Sequence, residues 1–138
     1  MRAGTIAKLL IVILLIFTSP GTGQAATSLK WHSYDEGMAL GNSQGKKVFI
    51  HFWAEWCSYC HEMERKTFRN PAVVALLNEN FISVKVDTDR EQEVSAIFRI
   101  KGLPDNWFFS EQGEPLGHRP GFIPPDTFIK ILKNLNNQ

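Results

Sequence analysis

The apolar, β-prone run Val48-Phe49-Ile50-His51-Phe52-Trp53 is separated by three residues from Cys57, and Cys57 and Cys60 are the only cysteines in the chain. Downstream, Glu62, Met63, Glu64, Arg65 and Lys66 are mostly good helix formers. A buried strand therefore delivers Cys57 to a helix N-terminus. Two cysteines three apart are also a poor structural staple, because the stabilisation from a disulfide grows with the length of the loop that it closes. The value of the pair is chemical.

The first 25 residues read as a secretory signal peptide. Arg2 and Lys8 precede nine unbroken apolar residues from Leu9 to Phe17, and Ser19-Pro20-Gly21 breaks the run. Gly23 and Ala25 supply small residues for cleavage before Ala26. A membrane anchor would need roughly 20 apolar residues, far more than this run offers. The remaining residues 26–138 suit one domain. Of 15 basic residues the leader takes Arg2 and Lys8, leaving 13 against 14 acidic ones. Such a balance gives no electrostatic footprint for nucleic acid.

In chain order, Ser33 to Glu36 resembles a capping box that opens a helix to about Asn42, with Gly41 to Gly45 ending it. The helix after Cys57 runs to Phe68, and Asn70-Pro71 caps and starts another whose apolar face holds Val73, Val74, Leu76 and Leu77. Phe81 to Asp87 alternates as a strand. Asp89 is a candidate N-cap for a helix over Glu91 to Phe98. Trp107-Phe108-Phe109, the turn Ser110 to Gly113 and a segment to Gly121 form a hairpin, and Phe128, Ile131, Leu132 and Leu135 mark a last helix. This order packs as an α/β domain with a central mixed four-stranded sheet and helices on both faces.

Phe52-Trp53-Ala54-Glu55-Trp56-Cys57-x-x-Cys60, Gly102-Leu103-Pro104, Gly113 and Gly121 together resemble the thioredoxin fold from about residue 31 to 136. Cys60-His61-Glu62-Met63-Glu64, Thr67-Phe68, Pro71 and Val84-Lys85-Val86-Asp87 are similar to a narrower group, which includes exported thioredoxin-like proteins and the C-terminal domain of the bacterial thiol:disulfide interchange reductase. The sequence departs from the family where His51 stands for a buried acid, where Ser58-Tyr59 separates the cysteines, and where Asp105-Asn106 follows Pro104.

The resemblance implies thiol:disulfide exchange, with Cys57 as nucleophile and Cys60 as resolving thiol. Placement of a C-x-x-C thiol at a helix N-terminus lowers its pKa from about 8.5 to as little as ~3.5–7.5, which supplies the attacking thiolate. His51 would take and return the Cys60 proton; a core histidine hydrogen-bonded to backbone is its plain alternative. Pro104 would be cis, with Leu103 beside it offering backbone to a substrate strand, and Trp56 and Tyr59 would flank the sulfur. His32 and His118 read as surface residues. No cofactor beyond the Cys57–Cys60 disulfide is implied.

Three rival readings stay open at this stage. Cys57-Ser58-Tyr59-Cys60-His61 matches the C-x-x-C-H haem-attachment motif, for which Met38 or Met63 could supply a second axial ligand. Copper or zinc on Cys57, Cys60 and His61 is another, and a non-catalytic binding module on the same fold is the third. The leading expectation is a periplasmic or otherwise extracytoplasmic monomer that acts on cysteines of exported proteins, more as a reductase than an oxidase, with a membrane thiol reductase as its electron donor.

Overall fold

The computed structural model describes residues 28–138. The leader proposed for residues 1–25 lies outside them. The elements are β1 Trp31–His32, α1 Tyr34–Gln44, β2 Lys47–Trp53, α2 Ser58–Lys66, α3 Pro71–Asn80, β3 Phe81–Asp87, α4 Gln92–Ile97, β4 Asp105–Phe109, β5 Pro115–Pro120 and α5 Pro125–Asn136. Their sheet order is β1-β3-β2-β4-β5, with β1, β3 and β2 parallel and β4 and β5 antiparallel. The sheet thus has five strands where the sequence pattern predicts four. The extra one is β1, two residues long and too short to show an alternation.

β2 is central, paired with β3 on one side and β4 on the other. Phe49 faces a core formed with Met63, Phe68, Val73, Leu77, Phe128 and Leu132, so α2, α3 and α5 cover that side. Val48, Ile50 and Phe52 face the opposite core, which α1 and α4 close through Tyr34, Met38, Val94 and Phe98. Both faces are covered, which accounts for the unbroken apolar run of β2.

Several helix boundaries differ from the sequence reading, each for a local reason. Ser33 is the N-cap of α1 but its side chain makes no cap hydrogen bond. Glu36, the expected box partner, lies instead 3.0 Å from Nδ1 of His32, which is itself buried rather than a surface residue. α1 passes through Gly41 and ends at Gly45, whose φ of 59° suits glycine. α2 stops at Lys66, because Thr67 turns its hydroxyl to the Ile123 carbonyl at 2.6 Å. α4 starts at Gln92 with Glu91 as N-cap, Asp89 being taken up by Trp56. Asn70 caps α3 as expected, accepting from Ala72 and Val73 N–H.

Arg99 terminates α4 with φ 52°. Its N–H reaches the Ala96 carbonyl at 3.0 Å and the Ile100 N–H reaches Ser95 at 3.2 Å, closing the helix end in the manner usually served by glycine. A non-glycine residue there costs about 1–2 kcal/mol.

α1 can lie close to β3 only because Gly37 has no side chain. A Cβ there would sit 2.0 Å from Cγ2 of the fully buried Val84. Gly37→Ala is expected to destabilise the fold by about 1–3 kcal/mol, the overpacking cost exceeding the helix-propensity gain of up to ~1 kcal/mol. Denaturant midpoints test this; an unchanged midpoint would mean that α1 shifts off β3 freely.

Candidate active site at the start of α2

β2 ends at Trp53, and Thr88 N–H bonds to the Trp53 carbonyl at 3.0 Å, holding the strand end. The chain then turns so that Cys57 becomes the N-cap of α2. Cys57 and Cys60 are disulfide-bonded, with their Cα atoms 5.3 Å apart. Cys57 Sγ accepts the Cys60 N–H at 3.2 Å, so one of the helix's otherwise unpaired donors points at this sulfur. Cys60 is fully buried, whereas Cys57 retains 5% of its surface. The two sulfurs are therefore inequivalent.

Ala54, Cys57 and Cys60 pack against Trp53 and Leu103. The Leu103–Pro104 peptide is cis, as the resemblance implies, and the Pro104 carbonyl accepts from Gly121 N–H at 2.7 Å. Trp56 and Tyr59 project outward, 70% and 60% exposed, beside the disulfide. Trp56 is held by a bond from Nε1 to Asp89 Oδ2 at 2.9 Å.

His51 is fully buried on the sheet face covered by α2 and α5, with Phe68 edge-on at 4.8 Å. Its Nδ1 lies 2.8 Å from Asn106 Oδ1 rather than on backbone. The Asn106 amide nitrogen donates to the carbonyls of Arg119, at 3.1 Å, and Gly121, at 3.4 Å, which leaves its oxygen to accept from His51. Neutral His51 consequently carries its proton on Nδ1. Nε2 is a lone-pair site with no hydrogen-bond partner among the described residues. Burial lowers the His51 pKa to about 4, against the opposing effect of the Asn106 bond; Lys85 lowers it further and Glu64 raises it. Lys85 is the register partner of His51 on β3 and is paired with Glu64 of α2. A polar row Lys85–His51–Asn106 thus crosses the sheet beneath α2.

The sequence points to His51 but not to its partner Asn106. The signal that could have found Asn106 is the pairing of two departures from the family pattern, His51 and Asn106, on neighbouring strands. His118 is on the surface, as expected, but its Nδ1 also holds the buried Asp105 at 2.9 Å and its ring stacks on Trp107.

The residues do not fit a haem. His61 Nε2 is engaged with the Glu55 carbonyl at 2.6 Å, Met63 is fully buried in one core, and Met38 packs into the other. Among the described residues no second axial ligand converges on His61. Nor do three or more His, Cys, Asp or Glu side chains cluster as a metal-binding set among the described residues. The arrangement can carry out two-electron exchange between the Cys57–Cys60 disulfide and an external dithiol.

Comparison with known proteins agrees with this chemistry. A thioredoxin-like domain model matches residues 34–136. The chain is 32% identical over 106 residues to the thiol:disulfide interchange protein DsbD of Vibrio vulnificus, covering 72% of this chain and 18% of that protein. It is 32% identical over 127 residues to DsbD of Escherichia coli, covering 86% and 22% respectively. The chain thus spans about a fifth of the length of these relatives. Among solved structures, a thioredoxin from Thermus thermophilus superposes with a TM-score of 0.72 at 32% identity, covering 78% of this chain and 87% of that one. A DsbH oxidoreductase, at 20% identity and TM-score 0.68, shares the fold. With its disulfide at the start of α2 and the family match over nearly all the described residues, the chain belongs to the thioredoxin-like family.

Proposed function

We propose that this protein is an extracytoplasmic thiol:disulfide reductase in which Cys57 attacks substrate disulfides and Cys60 resolves the product. The observation that carries the reading is the inequivalence of the two sulfurs: Cys57 receives a helix N-terminal N–H and keeps an exposed edge, while Cys60 is sealed. In the reduced protein that N–H and the start of α2 favour a thiolate at Cys57. Its attack on a substrate disulfide forms a mixed disulfide and releases one substrate thiolate. Cys60 then loses its proton and attacks Cys57 Sγ. The second substrate sulfur leaves as a thiolate and is protonated, and the Cys57–Cys60 disulfide holds the two electrons' worth of oxidation.

His51 is the proposed acceptor of the Cys60 proton, through the lone pair at Nε2. Its pKa of about 4 is that of a buried imidazolium in the protein with Cys60 held as a disulfide. Proton transfer from Cys60 creates a thiolate together with that imidazolium, and the two charges compensate each other in the low-dielectric interior. Because the transfer is still uphill, His51→Ala should slow resolution by about tenfold, less than the usual general-base effect of about 10²–10⁴-fold, while leaving mixed-disulfide formation within about twofold. Stopped-flow single turnovers separate the steps, and equal rates in both would remove His51 from the mechanism.

Trp56, Tyr59, Leu103 and Pro104 would form the contact surface for the substrate chain: Trp56 and Tyr59 are exposed beside Cys57 in sequence, and Leu103, joined to Pro104 by the cis peptide, packs against the cysteines. Export is supported by Arg2, Lys8 and the apolar run from Leu9 to Phe17. Among the described residues no helix is long and apolar enough to cross a membrane. Reducing equivalents would then come from a membrane thiol reductase. Turbidimetric insulin reduction tests the activity; no rate above the dithiothreitol background would contradict it.

A further inference from the structure

A groove of about 360 Å³ runs from Trp56 and Leu103, which border the disulfide, along α4 to the loop that precedes Pro104. Ile100 and the two border residues make its apolar wall. Its charged lining consists of Arg99 and Lys101, with no carboxylate. Neither cation is ion-paired among the described residues, and both are exposed. At the Trp56 end, Asp89 lies outside the lining and accepts a hydrogen bond from the indole Nε1.

Arg99 adds a second observation. It holds the left-handed position at the end of α4, with φ 52°, where glycine would be less strained. Strained backbone positions cluster at functional sites, and Arg99 is among the residues that line the groove.

We propose that the groove binds the segment flanking the reactive cysteine of a substrate protein, and that preferred substrates carry acidic side chains in that segment. This rests on the reading of Cys57 as the attacking thiol. An extended chain that presents its sulfur to Cys57 can lay apolar atoms on Trp56, Ile100 and Leu103. Its carboxylates then meet Arg99 and Lys101, whereas basic residues meet like charge. The gain is electrostatic and appears in the rate of encounter, so salt weakens it.

The test uses two peptides, one with its cysteine flanked on both sides by glutamates and the other by lysines, each activated as a mixed disulfide with 5-thio-2-nitrobenzoate. Release of the coloured thiolate needs only reduced Cys57 attacking the peptide sulfur. The ratio of rates therefore reports on the groove even if insulin reduction, which tests the parent reading, were to fail. At low salt the acidic peptide should react about tenfold faster with the wild-type protein, a size typical of steering by a few charges. In the double variant Arg99→Gly, Lys101→Gln the ratio should fall to about two or less, glycine accepting the same backbone conformation. Removing two charges far from the groove, through Lys130→Gln and Lys133→Gln on α5, should keep it near ten. A wild-type ratio near one, or a ratio that the groove variant retains, would overturn the proposal.

Discussion

Cys57→Ser is expected to abolish catalysed insulin reduction, lowering the rate to the dithiothreitol background, a loss of at least ~10³-fold. A serine hydroxyl at the start of α2 still accepts the Cys60 N–H, so the fold should survive the change. What disappears is a group that can ionise near neutral pH and attack sulfur. Cys60→Ser should behave differently. Cys57 would still attack, but with no second thiol to displace the substrate the mixed disulfide should accumulate and be visible on a non-reducing gel. The asymmetry follows from Cys57 keeping an exposed edge while Cys60 has none. Equal background rates for wild type and Cys57→Ser would instead make the domain a binding module.

The second large effect concerns His51 and acid. Its folded pKa of about 4 lies below the ordinary histidine value of 6.5. Between those values the unfolded chain binds a proton that the folded protein excludes, so stability is full above about pH 6.5 and falls as the pH drops towards 4. A separation of that size corresponds to a loss on the order of 3 kcal/mol across this window. His51→Leu removes the titrating group. It leaves Asn106 Oδ1 without its donor, a pH-independent cost of about 1–3 kcal/mol. Denaturant unfolding from pH 7 to 4.5 should therefore give curves that converge as the pH falls, with wild type losing its advantage. Parallel curves would mean that His51 is not held neutral by burial.

Much of this architecture was legible because it is periodic or punctuated. The apolar run of β2, the alternation of Ile82, Val84 and Val86 in β3, the Asn70-Pro71 start of α3 and the spacing of Phe128 and Leu132 in α5 each report one local rule, and each element stands where the rule puts it. The cysteine pair and Pro104 were legible through their flanking motif. What stayed hidden depends on tertiary choice. β1 exists because two residues find β3 as a partner, and His32 is buried because the sheet edge and Glu36 enclose it. Glu36 and Asp89 could each have served a helix cap, but His32 and the Trp56 indole claim them. The bond between His51 and Asn106 joins residues 55 apart in sequence, and only strand register brings them together.

The reduction potential of the Cys57–Cys60 pair, measured by equilibrating the protein with glutathione redox buffers and alkylating the free thiols, tests the proposed reductase directly. In this fold the scale runs from about −270 mV for thioredoxin to about −120 mV for a strong oxidant. A potential nearer the thioredoxin end, at or below about −220 mV, is predicted, because a useful reductant must have a disulfide stable relative to its dithiol. A value above about −150 mV would contradict the assignment and make the protein a donor of disulfides instead.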